Sequence, residues 1–379
     1  MSKLIRVAAA VGLMLALLAP SASGEQLTGL TSGPVEYLET VPLDAGTAWG
    51  GRIVGDYFYM GSYKHFAIYD VSNPVDPQLL STTPLVGQGL TMEDIDTNGE
   101  ILVLTAQTPV SSELQVWDVE DKSAPAKIAT LPGAGDHTVS CVLDCKWAYG
   151  STPSKSITDL RDPSNPKPAG TWKHLGVDYV HDVTEVAPGW IVASTDPMMY
   201  IDARKPAAPK TVAYASMKPK AGIPTQQRIV GTNRWPRAGK DKFLLVSEET
   251  PFSGQCNEES ASFQTFDARK WRSKNRLVNT GRYQVRNGTY TDGNPPANAV
   301  GCSALWFQQH PDFRNGGMVA AGFAEHGMRL LDVASNGSIE ELGYYVPYGG
   351  SVSAAYWASD EIVYSVDLTR GFDILRVNR

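Results

Sequence analysis

Short apolar runs rich in Val, Ile, Leu, Tyr and Trp recur along this chain, broken each time by Gly, Pro, Asn or Asp. Around Asp118 they read LTMEDID, EILVLTAQ, ELQVWDV and AKIATLP; around Asp159 they read HTVSCVLD, WAYGST, SITDL and PAGTWKH. Runs of this length bounded by turn formers are the pattern of β-strands in a meander. The four strands of each set are labelled a to d. Beyond the N-terminal segment, no apolar run reaches the about 20 residues that a membrane-spanning helix needs.

A repeated phrase marks the end of strand c. It reads AIYDVSNPVDP at Ala67 to Pro77, SITDLRDPSNP at Ser156 to Pro166 and MYIDARKPAAP at Met199 to Pro209, while LQVWDVEDKSAP keeps only its second proline, Pro125. The c-strand positions Asp70, Asp118, Asp159, Asp202, Asp267, Asp332 and the region of Arg376 lie 48, 41, 43, 65, 65 and 44 residues apart. Four of these intervals fit a propeller blade of about 40–50 residues. The two long ones are expected to hold insertions, at Phe252 to Ala261 and Asn287 to Val300. The expected fold is therefore all-β, a seven-bladed β-propeller of four-stranded antiparallel blades. The segment VEYLETVPL resembles the d strands, and the chain ends on SAAYWAS, EIVYSVD and GFDILRV, an a-b-c set lacking its d strand. The N-terminal strand should complete the C-terminal blade, closing the ring and removing its open sheet edges. Each recurring Asp is expected to accept hydrogen bonds from backbone N–H groups of its own turn, with the prolines fixing φ in the c–d loop. One such Asp per blade is the spacing of a structural device rather than of a catalytic set.

FAIYDVSNPVDP at Phe66 to Pro77, with LQVWDV, MYIDA and MRLLDV as weaker copies, resembles the LVIVD repeat of bacterial and archaeal secreted or cell-surface β-propeller proteins. The resemblance spans nearly the whole chain after its N-terminal segment, although the fifth and seventh repeats are degenerate. It implies the fold and an extracytoplasmic location, and it carries no catalytic motif to transfer.

Lys3 and Arg6, the apolar stretch Val7 to Ala19 and the small residues Ala22-Ser23-Gly24 form the pattern of a Sec-type signal peptide over residues 1–24. A single propeller domain is expected over residues 25–379. The net charge of −7 becomes −9 once Lys3 and Arg6 are lost, so an acidic chain makes nucleic acid an unsuitable partner. Four cysteines in an exported chain suggest two disulfides. Cys141 and Cys145 flank an a–b hairpin, whereas Cys256 lies in the b–c loop of blade five and Cys302 at the start of strand a in blade six, on the same face, so the pairs expected are Cys141–Cys145 and Cys256–Cys302.

The strand map sorts the histidines by face. His137 and His181 stand where the chain enters strand a, His65 and His326 lie in b–c loops and His174 in a d–a connection, all on one face; His310 lies on the other. Glu93, Asp182, Glu248, Glu249 and Glu325 are expected near the channel mouth on the His-bearing face, with Lys64, His326 and Arg370 at equivalent b–c positions. Glu248-Glu249 reads most simply as a solvated loop end, and the aromatics of VWDV, KWAYG and AYWAS as packing between blades. Imidazoles with carboxylates around a concave mouth suit ligand binding, a divalent metal or acid–base chemistry. The candidate ligand or metal residues are His137, His181, His326, Glu93, Glu325 and Arg370. No G-x-S-x-G, Walker loop, H-E-x-x-H or C-x-x-C occurs, which removes support for the common motif-bearing enzymes. The function expected is a monomeric exported binding protein with a protein or glycan partner. Its alternative is a metal-dependent enzyme, oxidoreductase- or hydrolase-like, at the same mouth.

Overall fold

The computed structural model describes residues 29–43, 48–63, 65–85, 94–107, 112–173, 177–217, 229–249, 261–285 and 303–379. Seven antiparallel sheets follow one another in chain order. Blade one is Ala48–Val54, Tyr57–Ser62, His65–Asp70 and Gln78–Pro84, innermost strand first. The inner strands of the next six blades are Ile95–Thr97, Val139–Val142, Asp182–Ala187, Ile229–Arg234, Phe307–Gln309 and Val352–Trp357. In each blade strand a runs away from the His-bearing face, so d–a and b–c loops share that face and a–b hairpins form the opposite one.

Both faces of every blade are covered by a neighbour, which is why the b and c strands read as continuous apolar runs instead of alternating. In Tyr57–Ser62, Phe58 and Met60 pack toward blade seven while Tyr59 packs toward blade two. Among the described residues seven hydrophobic clusters result, one for each contact between adjacent blades. Trp117 meets Phe66 edge-on across the first such contact, with centroids 5.1 Å apart, as the packing role of these aromatics requires.

The ring closes as expected: Val35–Pro42 is the outer strand of blade seven, pairing with Gly371–Val377 from Val35↔Val377 to Pro42↔Gly371. A further strand, Gly29–Ser32, was not legible in the sequence. It adds a fifth strand to blade six by pairing with Ile339–Pro347. Residues 29–42 thus staple blades six and seven together. The turn between the two strands requires Gly33: its φ is +59°, and a Cβ there would lie 2.0 Å from the Leu342 carbonyl oxygen.

The recurring Asp does what its position implies. Asp70, Asp118, Asp159, Asp202 and Asp267 each accept, through Oδ1, the backbone N–H two residues on, at 2.9–3.1 Å. In blades three, four and five the residue making that bond is an arginine, which adds an ion pair to the same carboxylate. The Cys141–Cys145 disulfide is present across the a–b hairpin of blade three. Cys256 and Cys302, with the insertions around them, lie outside the described residues.

Candidate functional site

The inner strands carry two groups of polar side chains, one at each end of the central channel. At the His-bearing end, His137 precedes the inner strand of blade three and His181 that of blade four, and the equivalence of their positions brings the rings together. Their centroids are 4.8 Å apart and the planes meet at 71°. Backbone bonds set both residues: His137 N–H donates to Thr152 O at 2.7 Å and His181 N–H to Ser194 O at 3.0 Å. The His181 ring is buried, and its Nδ1 lies 3.0 Å from Gly231 O in blade five. A carbonyl only accepts, so Nδ1 carries the proton, and Nε2 is directed to Glu249 Oε1 at 3.6 Å. Three successive blades thereby contribute to one side of the mouth.

The remaining predicted residues divide. Glu325 and His326 occupy the b–c loop of blade six, both buried; Glu325 accepts a hydrogen bond from Ser351 Oγ at 3.1 Å. Arg370 bonds within its own blade, to Asp367 at 3.1 Å and Asp373 at 2.7 Å. Burial opposes the Arg370 charge, but the two carboxylates outweigh it and push the guanidinium up. Glu93, Lys64 and His174 lie outside the described residues. Glu248 corrects the reading of a solvated loop end: it is fully buried and accepts a hydrogen bond from Ser262 Oγ at 2.9 Å. Adjacent acidic residues at a strand end suggest solvent, but the b strand alternates, turning Glu248 inward and leaving Glu249 at the mouth.

Deeper in the channel lies a charge cluster of which the sequence points only to Asp182, expected nearer the mouth. Arg52 of blade one pairs with Asp94 at 2.8 Å and Asp96 at 3.0 Å, both from blade two. Asp182 of blade four accepts from Thr184 at 2.9 Å and from Thr232 of blade five at 3.1 Å. Tyr356 of blade seven accepts the Gly51 N–H at 3.0 Å. Burial pushes Asp94 up to about 8 against the pull of Arg52. Burial, then repulsion from Arg52, holds the Arg234 guanidinium below its ordinary value, partly offset by Asp182 and Asp94. The available signal was the placement of charges on inner strands, where an apolar residue is the default.

No family model matches the chain, and no curated protein matches it. Among solved structures it is similar to the β-propeller domain of Myceliophteria thermophila Cps50 (Swd1), with a TM-score of 0.61 and 13% identity, covering 91% of this chain and 100% of that one. At that identity the likeness shows the fold alone. With 562 matching chains, the fold is too widely shared to assign an activity.

Proposed function

We propose that this protein is an exported β-propeller that binds a protein or glycan partner through the His-bearing mouth of its channel. The observation that carries this reading is the His137–His181 pair with Glu249 beside it, assembled from three successive blades at one end of the channel. Export is supported by the signal-like residues 1–24, and a surface or secreted role by the resemblance of the repeat phrase to LVIVD repeats. An imidazole pair beside a carboxylate offers donors and acceptors to hydroxyls, amides and carboxylates alike. The test is binding of the purified protein, and of a His137→Ala/His181→Ala variant, to a glycan array and to proteins of the producing cell's surface. Selective binding that falls at least about tenfold in the variant, with unchanged circular dichroism, supports the reading. Binding that ignores both substitutions overturns it.

One observation favours a second reading, a metal-dependent enzyme at the same mouth. The Gly231 carbonyl sets the His181 tautomer so that Nε2 is the coordinating nitrogen, as outer partners do for metal-bound histidines. Among the described residues, however, no three His, Cys, Asp or Glu side chains are grouped to hold a metal. Such a site would need a ligand from outside them, for which Glu93 is the candidate. Stoichiometric metal in the purified protein, lost in the double variant, would favour this reading over simple binding.

A further inference from the structure

The opposite end of the channel presents a different chemistry. A cavity of about 360 Å³ opens among the a–b hairpins, lined by Arg52, Asp96, Asp144, Thr184, Glu185 and Arg234 beside the Cys141–Cys145 disulfide. Charges of both signs line it, and not all of them are paired with one another. Arg234 ends the inner strand of blade five, and the charged groups that act on it are the channel residues Arg52, Asp94 and Asp182. The Glu185 carboxylate lies at the a–b hairpins, bonded to turn residues of blades three and four, and Asp144 is exposed in the hairpin turn of blade three; the charged groups acting on Glu185 are Asp96 and Asp144.

The two ends of this cavity are compensated unequally. Arg52 is held by the side chains of Asp94 and Asp96, yet the Arg234 guanidinium makes one hydrogen bond, Nη1 to Asn233 O at 3.3 Å, and no ion pair with any described residue. At the hairpins, Glu185 Oε1 accepts backbone N–H groups from Leu143 and Gly189, at 3.0 and 2.6 Å, and has no cationic side chain within ion-pair distance among the described residues. An anion alone would be drawn to Arg234 but repelled by the hairpin carboxylates. A cation alone would meet the reverse. A ligand carrying both charges satisfies both ends.

We propose that this cavity binds a small zwitterion of the amino-acid type, its carboxylate on Arg234 and its ammonium on Glu185 and Asp144. The volume lies in the range of small-molecule sites and suits a free amino acid or a dipeptide, which differ in the distance between their charges. This site lies at the other end of the channel from the His-bearing mouth and stands whether or not that mouth binds a partner.

The experiment is a thermal-shift and calorimetric screen of the full chain against the standard L-amino acids and a set of dipeptides. L-lactate serves as the carboxylate-only control and ethylamine as the amine-only control. At least one zwitterion should bind saturably, raising the unfolding temperature by about 2–5 °C near 100 times its Kd, while neither control does. Arg234→Gln should weaken that binding by about 10–100-fold. Asp144→Asn, on an exposed turn where folding is not at stake, should weaken it by a smaller factor. The span of the winning probe distinguishes the free amino acid from the dipeptide. No saturable binder, a control that binds as well as the zwitterion, or binding unaffected by Arg234→Gln in a protein of unchanged circular dichroism overturns the proposal.

Discussion

Tyr364 of blade seven donates its hydroxyl hydrogen bond to the carbonyl oxygen of Pro74 in blade one, at 2.9 Å. Tyr149 of blade three makes the same bond to Pro206 of blade four, at 2.5 Å. Both acceptors are the first proline of the repeated phrase. Proline lacks an N–H but keeps its carbonyl, and a turn with fixed φ presents that oxygen at a constant place to the preceding blade. Tyr364→Phe should therefore lower stability by about 0.5–1.5 kcal/mol, the usual net loss for a hydrogen bond, with the packing of the ring kept. Urea unfolding reads this directly, and an unchanged midpoint would show that the bond does not help hold the closing seam.

The clasp formed by residues 29–42 predicts a different failure. Removing it leaves Gly371–Val377 as an unpaired edge on blade seven and takes the fifth strand from blade six. Exposed edges recruit other chains. Size-exclusion chromatography of the truncated protein should show larger oligomers or aggregate than the intact chain forms. A stable monomeric truncation would mean that the hydrophobic contacts between blades suffice alone.

Asp94 makes stability depend on pH in a stated direction. Its folded pKa, raised from 3.8 to about 8, exceeds its unfolded value, so the proton is held more tightly by the folded chain. The contribution is fully present below about pH 4 and is lost as pH rises through about 8. Asp373, pushed up to about 6 chiefly by burial, acts in the same sense over a narrower window. The turn carboxylates Asp70, Asp159, Asp202 and Asp267 have lowered values and act oppositely, losing their contribution only as pH falls below about 4. Between about pH 5 and 8, wild-type stability should fall relative to that of Asp94→Asn. Parallel curves in denaturant titrations across that range would contradict the assignment.

The a–b hairpin of blade three holds three consecutive residues, Leu143, Asp144 and Cys145, at φ of 53°, 61° and 52°. None is glycine, so this left-handed run is costly unless something imposes it. The Cys141–Cys145 bond encloses it. Replacing both cysteines with serine should cost about 2 kcal/mol, as expected for so short a loop. The hairpin should then also gain amide hydrogen exchange at Leu143 to Lys146. Exchange that stays unchanged would show that neighbouring contacts alone hold the turn.

The repeat phrase made the architecture legible because each copy occupies the same place in its blade. A carboxylate followed by prolines can end strand c only one way, and the interval between copies counts the blades. The Cys141–Cys145 pairing was legible for a similar reason, since a hairpin of fixed length brings its two flanks together. By contrast, Gly29–Ser32 has no apolar pattern of its own; it becomes a strand because blade six offers it an edge.

The site was legible in part. His137 and His181 could be matched because they hold equivalent positions in consecutive repeats, and the fold sets their rings in contact. Arg52 and Asp94 stand 42 residues apart, and Asp182 and Thr232 stand 50 apart. Nothing local relates the members of either pair. Strand period and turn chemistry act over a few residues, and they are written in the chain itself. Which charges face one another depends on curving seven blades until their inner strands share one axis, and only the closed ring brings Arg52, Asp94, Asp182 and Arg234 into reach of the same channel.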